Sequence, residues 1–208
     1  MKLPAILFPR PQQAELGAWE WRDVGPGDVR VETTLSLVSI GTESFCYRGE
    51  FEPGTTWAGW VKYPFHPGYS LVGRVVEAGR EVTALRPGDR VFVRAGHGAG
   101  AVVPAAEAIP IPDPVSDAAA SWGALATITQ TGVRRAEHTL GDTAAVVGLG
   151  PLGQLVVQYL RALGLRRIIA IDTAASRLAC AQAHGATDLF EGGAADALSL
   201  VADRTGGL

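Results

Sequence analysis

Cysteine is scarce in this chain: Cys46 and Cys180 are the only two among 208 residues, and they lie far apart. A disulfide framework is thereby excluded, and a reducing, cytoplasmic setting is the expectation. No Lys/Arg-rich run is present and the net charge is only −3, which argues against nucleic acid or an anionic membrane as a main partner. No apolar stretch reaches the roughly 18 residues that a membrane-spanning helix needs. The start, "MKLPAILFPRP", lacks the apolar core and small-residue cleavage site of a secretory signal. No pattern recurs at a fixed period, so a repeat architecture is excluded. A small molecule is left as the expected partner. Cys180 sits in an Ala-rich helical pattern and reads as a small core residue.

What is present divides near Pro114. Before it, "GPGDVRVETTLSLVSI", "LVGRVVEAG", "RPGDRVFVRAG" and "AGAVVPAAEAIPIP" are β-rich runs separated by Gly, Pro and Asp. After it, Ser116 and Asp117 cap a helix with the body "AAASWGALATITQTGVRRAEH". Then strand (144–148), helix (151–163), strand (167–171) and helix (174–184) alternate, with a third strand around "ATDLF". Alternation of strand and helix predicts a parallel sheet. The fold class is therefore α/β with an N-terminal β domain. The expected domains are 1–115, a linking helix at 116–140, and 141–208.

Gly148-Leu149-Gly150-Pro151-Leu152-Gly153 is a G-x-G-x-x-G between an apolar strand and a helix. Gly148 permits the tight turn, Gly150 lets backbone approach a pyrophosphate, and Gly153 lets helix pack on strand. Pro151 fits the first helical turn, where its missing N–H costs nothing. Leu152 completes the loop. Asp172 closes the next strand, where a carboxylate accepts hydrogen bonds from a ribose diol and repels a 2′-phosphate. NAD is the expected cofactor, ahead of NADP. Arg177 either stacks on adenine, reaches a phosphate, or is a solvated helix charge.

The β-rich segment followed by this unit resembles the medium-chain dehydrogenase/reductase superfamily, the zinc-type alcohol dehydrogenases and their relatives. "SIGTESFCYRG", "YPFHPGYSLVGRVVEAG", "LRPGDRVFV" and "ITQTGVRRAEHTLGDTAAVVGLGPLG" carry the resemblance. It implies a GroES-like β barrel, then a doubly wound Rossmann domain of which only the first half is encoded. The chain then reads as a fragment or as a defective reading frame. The resemblance also implies a homo-oligomer for the full-length form.

The resemblance further implies a catalytic zinc held by Cys, His, sometimes Glu, and a later Cys. Those positions are occupied here by Ile40, Tyr69, Ser70 and the thiol-free "ALATITQ". Isoleucine cannot ligate and neutral hydroxyls are poor substitutes, so no metal is expected. Thr42 matches the family's proton-relaying hydroxyl, and Glu43 the acid that supports the ligand His. With no zinc, Glu43 is expected to hold Tyr69. Tyr69 then orients or protonates a substrate oxygen, or fills the vacated metal cavity. Ser70 is expected to bond backbone at the strand start. His66, His97 and His138 read as surface or packing residues, with no partner at ligand spacing. Trp57, Trp60, Tyr63 and Phe65 either cover a substrate or pin a long loop. Similar aromatic loops occur in zinc-lacking branches of the superfamily, including relatives of bacteriochlorophyllide dehydrogenases.

Three functions follow as expectations. The first is a zinc-independent oxidoreductase moving a hydride between a nicotinamide and an alcohol, polyol or carbonyl. The second is a zinc-free quinone or enoyl reductase acting on an activated C=C bond, which Asp172 disfavours. The third is a non-catalytic binding module.

Overall fold

The computed structural model describes residues 1–207, which divide into two compact units, Met1–Ala124 and the residues from Leu125 onward. The first unit opens with an antiparallel hairpin, β1 (Lys2–Leu7) against β2 (Glu15–Glu20). Then come β3 (Asp28–Ser36), α1 (Ile40–Arg48), α2 (Thr56–Trp60), β4 (Leu71–Ala78), β5 (Arg90–Val93), β6 (Gly100–Pro104) and β7 (Ile109–Pro110). The last five strands form one antiparallel sheet in the order β6-β3-β4-β5-β7.

Alternation explains this sheet. Val29 and Val31 of β3, Leu71 and Val75 of β4, Val91 and Val93 of β5, and Ala101 and Val103 of β6 converge in one buried core. The turn before β3 is fastened by Asp28, which accepts from the Gly25 amide at 2.9 Å and from both arms of the Arg22 guanidinium.

The run "ETTLSLVSI" does not stay extended to its end. Strand β3 stops at Ser36, and Ile40 begins α1. Glu43, in the first turn, fastens the helix start: its Oε1 accepts the Ser39 backbone N–H at 2.7 Å. Gly49, at φ 69°, closes the helix.

The expected single helix after Pro114 is two helices. Ser116 caps α3 (Asp117–Ala120) by accepting from the Ala119 amide at 3.1 Å. The chain then turns, and α4 (Gly123–Arg135) begins. Ser121 makes the break, with its hydroxyl donating to Ala118 O at 2.7 Å and its carbonyl accepting from Ser70. Gly123 fits because a Cβ there would lie 3.0 Å from the Phe92 ring.

In the second unit β8 (Thr143–Val147), α5 (Pro151–Ala162), β9 (Arg167–Asp172), α6 (Ala175–Ala183), β10 (Asp188–Glu191) and α7 (Leu198–Thr205) follow in order. The strands are parallel in the order β10-β9-β8, as the alternation predicts. Strand β9 is buried on both faces. Ile168 and Ala170 pack with Val157 and Leu160 of α5 and Leu178 of α6, while Ile169 and Ile171 pack with Leu200 and Val201 of α7. Cys180 departs from expectation: it lies on the exposed face of α6, while Leu178 and Ala181 take the buried face. No helix among the described residues is long and apolar enough to cross a membrane.

Candidate functional site

Two places bring chemistry-bearing residues together, one in each unit. In the first unit, the end of β3, the start of α1 and the Pro67-Gly68 turn surround a cleft of about 400 Å³. Its lining includes the apolar or aromatic Phe8, Val38 and Tyr47 and the polar Ser36, Glu43 and His97.

His97 corrects the sequence reading. It is neither a surface residue nor only packing: the residue is 7% exposed and both ring nitrogens are engaged. Nε2 lies 2.6 Å from Glu43 Oε2 and Nδ1 lies 2.8 Å from Ser36 Oγ. The His97 backbone N–H donates to Pro67 O at 2.8 Å. Gly68, at φ 98°, makes room for it, since a Cβ there would lie 2.7 Å from His97 N and 2.8 Å from the ring.

Glu43 therefore does not hold Tyr69. Its two oxygens are committed to Ser39 N and His97, and Tyr69 donates instead to Ser39 Oγ at 2.5 Å. Ser70, fully buried, donates to Ser121 O at 2.5 Å; this is a backbone partner, although one 51 residues away. Thr42 stands half-buried on α1 and makes no side-chain hydrogen bond among the described residues. Ile40 is 70% exposed. The donor set at the positions that the resemblance assigns to zinc, an aliphatic side chain and two hydroxyls already donating to protein oxygens, does not fit that ion. Among the described residues no three His, Cys, Asp or Glu side chains gather as a metal centre would need.

Of the other histidines, His66 packs on Trp19 at 4.7 Å and meets Trp21 edge-on at 6.1 Å, with Nε2 3.2 Å from His97 O. Burial lowers its pKa. His138 lies 4.0 Å from Asp142. The aromatic segment folds on itself. Trp57 meets Phe45 at 5.0 Å and Trp60 at 5.6 Å, Phe65 meets Trp60 at 5.5 Å, and the Tyr63 hydroxyl donates to Cys46 O at 2.5 Å. Trp60 remains 52% exposed.

In the second unit the glycine loop runs from β8 into α5. Gly148 turns at φ 83° and its N–H donates to Ile171 O at 2.9 Å. Gly150 is the N-cap and Pro151 the first helical residue, so the N–H groups of Leu152 and Gly153 have no partner within the helix. Gly153 sits so close to the strand that a Cβ would lie 2.0 Å from Gly148 O. Asp172, at the tip of β9, spans the loop. Oδ2 accepts from Leu149 N at 2.6 Å, Oδ1 accepts from Ala174 N at 2.9 Å, and Arg177 lies 3.6 Å away. The Leu149 amide holds its carboxyl below the usual carboxylate range, and Ala174 and Arg177 add to this against the opposing effect of burial. Anions are favoured at such a helix start by free N–H groups and by the helix dipole.

Ser36 and His97 are the site residues that sequence reasoning missed. They stand 61 residues apart, and neither lies at a spacing from Glu43 that a local motif would reveal.

The alcohol dehydrogenase GroES-like domain model matches residues 25–130. The chain is 33% identical over 205 residues to a 2-desacetyl-2-hydroxyethyl bacteriochlorophyllide A dehydrogenase from Cereibacter sphaeroides, covering 90% of this chain and 62% of that protein. It is 30% identical over 216 residues to an alcohol dehydrogenase from Rhizobium meliloti, covering 88% and 61%. Among solved structures it superposes on a short chain alcohol dehydrogenase (rspB) from E. coli CFT073, complexed with NADH, with a TM-score of 0.83. That match is at 26% identity and covers 99% of this chain and 66% of that one. The chain thus spans less than two thirds of the length of these curated relatives. The match across the sheet, α1 and the first turns of α4, together with a glycine loop that opens a parallel-sheet unit, shows that the chain belongs to the medium-chain dehydrogenase/reductase superfamily.

Proposed function

We propose that this chain carries the alcohol-handling and adenosine-binding parts of a zinc-independent, NAD-linked oxidoreductase. The substrate class is an alcohol or polyol, or the matching carbonyl. The observation that carries this reading is Asp172 set across the glycine loop. Each oxygen of Asp172 spends one lone pair on a backbone N–H, and a carboxylate has about four such sites. Acceptor capacity for a ribose diol remains, and the negative charge disfavours a 2′-phosphate. Gly148, Gly150, Pro151, Leu152 and Gly153 form the pyrophosphate cradle in this reading, with Arg177 at its rim. The nicotinamide, when bound, supplies hydride acceptance. The relatives' names as dehydrogenases support the reaction class. The unpaired cysteines support a reducing, cytoplasmic compartment, and homo-oligomerisation of the whole protein belongs to the same proposal.

Titration with NADH and NADPH, followed by cofactor fluorescence, tests this. NADH should bind more tightly. Asp172→Ala should weaken NADH by about tenfold or more, the value of a lost charge-assisted hydrogen bond, and should narrow the gap to NADPH. Tighter binding of NADPH by the unaltered chain would overturn the assignment.

A further inference from the structure

We propose that Ser36, His97 and Glu43 form a proton-exchanging triad in which Ser36 Oγ gives a proton to, or takes one from, the oxygen of an alcohol or carbonyl held in the cleft. The hydrogen-bond chain fixes the direction. Glu43, as a carboxylate, only accepts, and already accepts from Ser39 N. The contact of 2.6 Å to His97 Nε2 therefore requires that nitrogen to carry hydrogen. With the imidazole neutral, Nδ1 presents a lone pair, and across the contact of 2.8 Å the Ser36 hydroxyl donates to it. This is a hydroxyl on a base that is itself oriented by an acid, the general arrangement of an activated nucleophile or relay.

Neighbouring hydroxyls lack that arrangement. Tyr69 spends its proton on Ser39, Ser70 spends its proton on Ser121 O, and Thr42 touches no base. All three triad residues line the same cleft, and Phe8, Val38 and Tyr47, which also line it, suit an apolar substrate body. The His97 backbone is tied to the Pro67 carbonyl, and its ring lies where a Cβ on Gly68 would clash. Titratable groups facing it are Glu43 and His66, with Cys46 beside Glu43.

The step rests on the oxidoreductase reading and balances as follows. The substrate O–H proton passes to Ser36 Oγ as the proton of Ser36 passes to His97 Nδ1. A nicotinamide, when bound, would supply hydride acceptance for the carbinol C–H, and the O–H electron pair would become the carbonyl π bond. Glu43 stabilises the imidazolium that forms. Reduction runs the same path backwards.

The test needs no cofactor. The 208-residue chain is treated with a fluorophosphonate, which labels base-activated serine hydroxyls, and the site is read by peptide mass spectrometry. Ser36 should be labelled, and Ser36→Ala should abolish the label. His97→Gln should slow it about a hundredfold or more, the usual worth of a positioned base. Absence of label on Ser36, or an equal rate in His97→Gln, overturns the triad. If His97→Gln does not fold, the unaltered chain still decides. Its label must fall on Ser36 in preference to Ser39, Ser44 and Ser70, and label spread evenly over these hydroxyls overturns the proposal. The two readings separate cleanly. Labelling without NADH binding sinks the oxidoreductase and keeps the activated serine; NADH binding without labelling does the reverse.

Discussion

Asp172 is committed to the fold through both of its carboxyl oxygens. Its carboxyl joins the glycine loop to the start of α6 through Leu149 N and Ala174 N, and its pKa is lowered chiefly by the first of these bonds. A carboxyl depressed in the folded state contributes stability above its unfolded pKa, about 3.9. That contribution is lost as pH falls through the lower folded value. Asp172→Asn should therefore cost about 1.5–3 kcal/mol near neutral pH and progressively less in acid below about pH 4. Urea unfolding of both proteins across that range measures it, and a pH-independent difference would mean that the charge is not what matters. Gly68 is the second residue with a sharp consequence. At φ 98°, with no space for a Cβ beside His97, Gly68→Ala should cost about 1–3 kcal/mol, whereas Gly27→Ala, with nothing within 4 Å, should stay within about 0.5 kcal/mol. Denaturation midpoints compare the two directly.

At the scale of elements, β8 lies at the edge of the parallel sheet and borders an apolar groove of about 640 Å³ between itself, α4 and α5. Val147 is 61% exposed there and Leu152 is 44% exposed. An unpaired edge with apolar side chains invites pairing with another chain. The 208-residue chain should self-associate with rising concentration, and Val147→Lys should shift it towards monomer in light scattering, because a charge on an edge strand blocks such pairing. Unchanged association would place the contact elsewhere. The break between α3 and α4 belongs to this scale too. Ser121 offers its carbonyl to Ser70, a tie between a helix turn and a strand that no local propensity encodes.

For the molecule as a whole, the absence of a zinc donor set predicts metal content well below one zinc per chain. Elemental analysis of protein purified without chelator checks this, and near-stoichiometric zinc would overturn the metal-free proposal. The parallel unit was legible in the sequence because each of its signals is local. Gly148 to Gly153 sit between an apolar strand and a helix, Asp172 ends the next strand, and helix and strand alternate at distinct periods. The β-rich unit was legible in its strands, whose Val-rich alternation survives as the buried core, but not in α1, which follows β3 within one apolar run. The polar centre was legible only in part. Glu43 and Tyr69 stood out, yet the partners of Glu43 were not readable, since His97 reaches Glu43 and Ser36 only when β3, α1 and the segment before β6 meet in space. Cys180 shows the same limit in small, because an Ala-rich helix does not declare which face is buried until Leu178 and Ala181 pack on β9. Sequence alone determined most of the strands, the parallel unit and the glycine loop, where the interacting atoms lie a few residues apart. Tertiary structure decided which polar groups pair, because hydrogen bonds between distant segments depend on packing that leaves no periodic trace along the chain.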